Sequence, residues 1–149
     1  MKFTDITINR IIFILSLGGV LIAAYVLQSF IRQTPIVCVN SGCELVRKSP
    51  HSYILGIPVP GVGLVGYSLL ALFAFLQTTT EKKELLYGIL GISTFGVLFV
   101  TWFTYMELFV IKAVCTWCAI SALNMAIIFI YAVKIYLLGK NKNENIRRN

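Results

Sequence analysis

Four apolar runs constrain this chain more than any other feature: Ile11 to Phe30, Val59 to Leu76, Leu85 to Thr104 and Val114 to Leu138. Each meets the roughly 20 mostly apolar residues that a helix needs to cross a hydrocarbon core. Inside that core a backbone amide finds no water, so a spanning run satisfies itself by forming a helix. With 58% hydrophobic and only 13% charged residues, the composition lies outside that of a soluble domain. The tail "GKNKNENIRRN" after Leu138 is too short and polar to form a second domain. The expectation is one membrane domain over residues 1–149 with no fused thioredoxin-like domain, so any soluble partner is a separate chain.

The first run follows Lys2 and Arg10 in the manner of a secretory signal, but it is longer than an h-region and no A-x-A-like site follows it. Val37 stands where lipoprotein cleavage before Cys38 would require a small residue. The run is therefore expected to be retained as the first span. If both termini are cytoplasmic, the inner face holds Lys2, Arg10, Lys82, Lys83, Lys134, Lys140, Lys142, Arg147 and Arg148. The outer face then holds only Arg32, Arg47, Lys48 and Lys112. This bias favours termini in the cytoplasm. The net charge of +7 is then a topology signal with some attraction to anionic lipid, and no nucleic-acid partner is implied.

Short links between spans make neighbours antiparallel, so the fold class is an all-α integral membrane protein. It is a four-transmembrane-helix bundle with a long outer loop between helices 1 and 2. In that loop, "HSYILGIPVP" is half apolar and is expected to lie at the interface as a lid, with Tyr53, Ile54 and Leu55 directed inward. "YMELFVIKA" is expected to be an outer link, with Glu107 and Lys112 facing water. Gly61, Gly63, Gly66, Gly88, Gly91 and Gly96 are expected to let helix backbones approach closely. Trp102, Tyr105 and Trp117 are placed like an outer aromatic belt. His51, the single histidine, is expected to be solvated.

All four cysteines fall at the outer side: Cys38 and Cys43 in the long loop, Cys115 and Cys118 at the head of the fourth run. Structural disulfides are one reading, because thiols outside the cytoplasm tend to be oxidised. Bridges over such short separations, however, constrain little of the unfolded chain. Zinc bound by four thiolates is another reading. The third is redox chemistry, for which Cys-x-x-Cys is the usual spacing. At the start of the fourth helix, free N–H groups and the helix dipole favour a thiolate at Cys115, and Lys112 adds positive charge. Cys118 lies a turn deeper, about 4.5 Å along the axis, at a depth suited to a lipid-soluble oxidant.

"CVNSGCELVRKSP", "LGIPVPGVGLVGYSLL" and "CTWCAISALNM" together resemble the vitamin K epoxide reductase family, in its bacterial-type, disulfide-forming branch. The resemblance covers Cys38 to Met125, and the four-span layout extends it over nearly the whole chain. It implies a quinone-dependent thiol-disulfide oxidoreductase in the cell membrane with its cysteines on the extracytoplasmic side. A separate thioredoxin-fold protein of the DsbA type would give electrons to Cys38 and Cys43. These would pass to Cys115 and Cys118, and then to ubiquinone or menaquinone. By the same resemblance Cys38 meets the partner, Cys43 exchanges with Cys115, Cys118 meets the quinone, and Ser49 hydrogen-bonds the quinone from the lid. Vertebrate members carry a tyrosine four residues after the last cysteine, where this chain has Ala122. The departure favours plain quinone reduction over vitamin K epoxide reduction.

Three other readings differ in what they require. A small membrane protein with structural disulfides would show no turnover. A conduit of reductant from the cytoplasm needs a cysteine pair at the inner face, which is absent. A transporter would want an intramembrane carboxylate, and the four runs as bounded above contain none at mid-membrane.

Overall fold

The computed structural model describes residues 2–39, 42–54, 56–80 and 82–148. Five helices follow in order: α1 (Lys2–Arg32), α2 (Gly42–Lys48), α3 (Val59–Thr79), α4 (Lys83–Tyr105) and α5 (Thr116–Arg148). A 3-10 turn (Pro50–Ser52) and a two-residue antiparallel pair, β1 (Tyr53–Ile54) with β2 (Ile57–Pro58), connect α2 to α3. A π-helical segment (Met106–Ile111) continues α4.

Four helices are long and apolar enough to cross a membrane, with spans at Ile6–Arg32, Val59–Thr79, Lys83–Ile111 and Thr116–Lys140. Each packs on its neighbour in chain order, and α5 closes the ring on α1. The result is an antiparallel four-span bundle. The inner seam is built from fully buried Ile12, Leu70, Ala74, Ile89, Ile128 and Ala132. Bulky apolar residues also stand on the outside, among them Leu21 at 72% and Leu98 at 66% exposure. A soluble protein would not present so many around its circumference; a bilayer solvates them.

Two side-chain amides inside the bundle bond to neighbouring helices, while the buried Ser16 and Ser93 bond within their own. Asn9 Nδ2 donates to Ala74 O and Thr78 Oγ1, each at 2.7 Å, and Asn124 Nδ2 donates to Leu15 O at 3.0 Å. These amides tie α1 to α3 and α5, as interhelical hydrogen bonds do in lipid. Gly19 meets the ring of Tyr67 so closely that any Cβ there would collide with it.

Two expectations change at this level. The expected outer link after Thr104 is instead helix, because i to i+5 bonding carries the third span on to Ile111. The fourth helix begins at Thr116 rather than Val114, since Lys112 turns the chain through the left-handed region (φ 54°). The lid segment is ordered as the 3-10 turn and β pair, with Gly56 at φ 82° making its turn. Tyr53 stacks on Phe30 with centroids 5.8 Å apart, and Ile54 packs against the cysteine-bearing cluster. Leu55 lies outside the described residues.

Candidate functional site

All four cysteines gather at one end of the bundle, in a buried cluster with Val26, Phe30, Val46, Val59 and Phe103. Local sequence explains how they arrive there. Pro35 and the residues after it leave α1 in an extended stretch, and α2 then turns Cys43 inward, where it is 1% exposed. Cys38 is half-buried between the exposed Val37 and Val39. Cys38 and Cys43 form a disulfide, Cα to Cα 6.4 Å. Cys115 and Cys118 are free thiols.

A buried ion pair holds the loop. Arg47, 6% exposed, donates through Nη2 and Nε to the two oxygens of Glu44 at 2.7 and 3.2 Å, and through Nη1 to Gln33 Oε1 at 2.9 Å. Glu44 Oε1 also accepts from the Ile36 amide at 3.3 Å. The Arg47 hydrogen bond holds the Glu44 carboxyl below its ordinary range. Both chain directions around the disulfide are therefore tied to one guanidinium.

The head of α5 is pressed onto this loop. Gly42 sits against the backbone of Val114: a Cβ there would overlap the carbonyl oxygen and stand 3.0 Å from the carbonyl carbon. Only glycine permits that approach, and it brings the residues after each, Cys43 and Cys115, into the same buried cluster. Trp117 Nε1 donates to Val37 O at 2.9 Å, and its ring packs on Tyr25 with centroids 5.2 Å apart. Trp117 is therefore a strap between loop and helix rather than part of the belt. Trp102 and Tyr105 do face outward, 44% and 56% exposed.

Cys115 immediately precedes the fourth span and occupies its N-cap position, its carbonyl accepting from Ala119 N at 3.0 Å. Its sulfur meets the amides of Trp117 and Cys118, the N2 and N3 donors that a capping side chain satisfies. The side-chain hydrogen bond with Cys118 is the largest influence lowering the Cys115 thiol from its ordinary range, opposed by burial and the charge of Glu107. This is the setting of a reactive thiolate.

The largest departure from expectation is Glu107. Instead of facing water it is 2% exposed. The left-handed turn at Lys112 brings Ala113 N back to donate to Glu107 O at 3.0 Å, folding the approach to Cys115 over the π segment. The Glu107 carboxyl, Cys115 Sγ and Cys118 Sγ all lie within 4.8 Å of one another. The carboxyl reaches the Cys118 thiol and the Cys115 amide, while its Oε1 has no hydrogen-bond partner among the described residues. A carboxylate therefore does lie inside a span, and the argument from its absence against transport no longer applies. In this structure two of the four sulfurs are bonded to each other, so no set of four free thiolates is present for zinc. Three donors remain, one fewer than a closed structural site.

Cys118 faces the other way as well, into an apolar cavity of about 110 Å³ between the spans. Val26, Gly66, Phe99 and Phe103 supply apolar wall, and Tyr67 and Ser121 supply polar groups deeper in. The Tyr67 hydroxyl donates to Ser121 O at 2.8 Å and lies 3.0 Å from Ser121 Oγ. Gly63 and Gly66 open this cavity and Gly91 has no neighbour within 4 Å, whereas Gly88 and Gly96 meet Phe73 and Met125 as packing positions should. Ser49 does not border the cavity: its hydroxyl caps the 3-10 turn, accepting from His51 N at 3.3 Å. His51 is exposed. Sequence reading missed Glu107, Tyr67, Ser121 and Gly42. The one available signal was an acidic residue eight positions before the Cys-x-x-Cys.

Comparison with known proteins gives one family. The model of the vitamin K epoxide reductase family matches residues 10–133, a stretch that includes all four cysteines. No curated protein matches.

Proposed function

Because the chain belongs to the vitamin K epoxide reductase family, a family of membrane oxidoreductases, we propose that it oxidises a thiol protein and passes the electrons to a membrane quinone. The observation that carries this reading is the position of Cys118, whose side chain borders an apolar cavity while its partner Cys115 packs with the loop disulfide. One pair is thus reachable from water and the other from lipid.

In this reading the partner is a separate thioredoxin-fold protein: one of its thiolates attacks the half-buried Cys38 and displaces Cys43, and its second thiolate then closes the partner's own disulfide and frees Cys38. Reduced Cys43 then attacks Cys115 across the Gly42–Val114 contact, Cys118 is released, and Cys38 closes back onto Cys43. Each step is thiolate attack on a disulfide. The cavity suits a flat apolar ring: its walls are aliphatic and aromatic, and hydroxyl groups sit deeper in. A quinone there accepts two electrons and two protons. The chain's part is to hold Cys118 at the cavity wall, to keep water out, and to offer the Ser121 hydroxyl as a donor to a carbonyl. The lysine and arginine bias supports termini in the cytoplasm of a cell membrane and the cysteine end outside.

The test is quinone absorbance in nanodiscs containing the purified protein and a reduced thioredoxin-fold substrate. Stoichiometric loss of ubiquinone or menaquinone with substrate oxidation is the expected result. Substrate oxidation without quinone consumption, or neither, overturns it.

A further inference from the structure

Glu107 is not used in the relay just described, yet among the described residues it is the only acidic side chain buried among the spans. No ion pair holds it among the described residues; Glu44 takes Arg47 and Lys48. A buried carboxyl with a free oxygen and no cation is costly to keep as mere packing. A π segment is itself a weaker helix, often found at functional positions. Here the two coincide at 4.8 Å or less from both sulfurs.

We propose that Glu107 is the proton carrier for Cys118, giving its sulfur a proton when the Cys115–Cys118 bond opens and taking it back when that bond re-forms. This rests on the relay reading. In the opening step the Cys43 thiolate bonds to Cys115 Sγ, and the Cys115–Cys118 bond breaks. Cys118 leaves with the electron pair and receives the proton of the Glu107 carboxyl. Cys38, having lost its proton to water, then bonds to Cys43 and releases Cys115, which takes a proton from water. In the closing step the Cys118 proton returns to the Glu107 carboxylate while the two sulfurs rejoin. The electron pair goes to the quinone, whose two protons come from Cys115 and from water that received the loop protons.

The position of Glu107 fits the task. It does not border the cavity, so it meets Cys118 without occupying the acceptor's place. A bare thiolate leaving among Phe103, Trp117 and Val26 is costly, and the Glu107 carboxyl lies beside it. The titratable groups beside Glu107 are the two thiols at the α5 entry, within 4.8 Å. From α2, which also touches the π segment, Cys43 is in the disulfide and Arg47 is paired with Glu44. Lys112 closes the π segment with its backbone N–H to Glu107 O.

The test uses the full chain in nanodiscs, as wild type, Glu107→Gln and Glu107→Asp. Gln keeps the size and removes the exchangeable proton; Asp keeps the proton on a shorter arm. The first readout is the pH profile of Cys118 alkylation in the fully reduced protein, by peptide mapping after iodoacetamide pulses. In wild type and Glu107→Asp it should show a carboxyl titration that Glu107→Gln lacks. The second is rapid-quench transfer of the Cys115–Cys118 disulfide to the reduced loop pair, with no quinone or partner present. Glu107→Gln should slow it about 100-fold, in the range for a positioned acid or base, with partial recovery in Glu107→Asp. An unchanged alkylation profile in Glu107→Gln overturns the proposal, whether or not the transfer slows, since slowing alone would mark a packing role. Failure of wild type to transfer between pairs would instead overturn the relay, and the alkylation profile would still decide Glu107.

Discussion

Gly42→Ala should separate the two cysteine pairs while leaving each intact. An added Cβ overlaps the Val114 carbonyl oxygen and stands 3.0 Å from its carbon and 3.2 Å from its nitrogen. Carbon atoms rest at about 3.5–4.0 Å, so α2 and the approach to α5 must part by about 0.5–1 Å. The obstacle is backbone on both sides, so no side chain can swing aside. Overpacking of this kind costs about 1–3 kcal/mol. Its kinetic effect is of similar size, because a misplacement of about 1 Å between reacting atoms can cost about 100-fold, or about 2.7 kcal/mol. The assay follows two events by acid quench and alkylation: reduction of Cys38–Cys43 by a soluble dithiol, and subsequent reduction of Cys115–Cys118. The first should be near wild type, because Cys38 lies on the exposed side of the loop; the second should fall about 100-fold. Equal rates for the second event in Gly42→Ala and wild type would refute the idea that the Gly42–Val114 contact sets the distance between pairs.

Further outcomes follow from other contacts. Cys38→Ser, which lacks the sulfur that closes back onto Cys43, should accumulate a Cys43–Cys115 disulfide with Cys118 open to alkylation, seen in non-reducing peptide maps; a Cys115–Cys118 bridge alone, with Cys43 free, would contradict exchange through Cys43. Arg47→Met should loosen the loop by about 2–3 kcal/mol, the scale of hydrogen bonds to a charged group, read as faster proteolysis between Arg32 and Pro50. Because the Glu44 carboxyl is held low, its share of that stability is present above the unfolded carboxylate value of about 4.3. It should be lost as pH falls through the lower folded value, and Glu44→Gln should remove this acid dependence. Ser121→Ala should slow quinone reduction about tenfold without altering exchange between the pairs, while Ser49→Ala should change it less than threefold, as expected of a turn cap; the reverse order would return the acceptor contact to the lid.

The bundle was legible in the sequence because crossing a bilayer is a local demand. An apolar run of sufficient length must be a helix whatever its neighbours do, and short links leave few ways to arrange four of them. The cysteines were legible too, since spacing alone puts Cys115 and Cys118 one turn apart at a helix start. Their pairing needed more: a disulfide between Cys38 and Cys43, with thiols at Cys115 and Cys118, was one of several states the residues allow.

What only the tertiary structure decided concerns contacts between distant segments. Glu107 reads in sequence as a polar residue past the end of a span. Its burial depends on helical bonding continuing through a π segment and on the left-handed turn at Lys112 that folds Ala113 back over it. Hydropathy counts residues without recording the phase of a helix, so the face Glu107 presents is invisible to it. The glycines show the same limit. Gly42, Gly19 and Gly96 are tight approaches, while Gly63 and Gly66 open a cavity. Glycine permits both closeness and space, and which one results is set by what stands opposite in the fold.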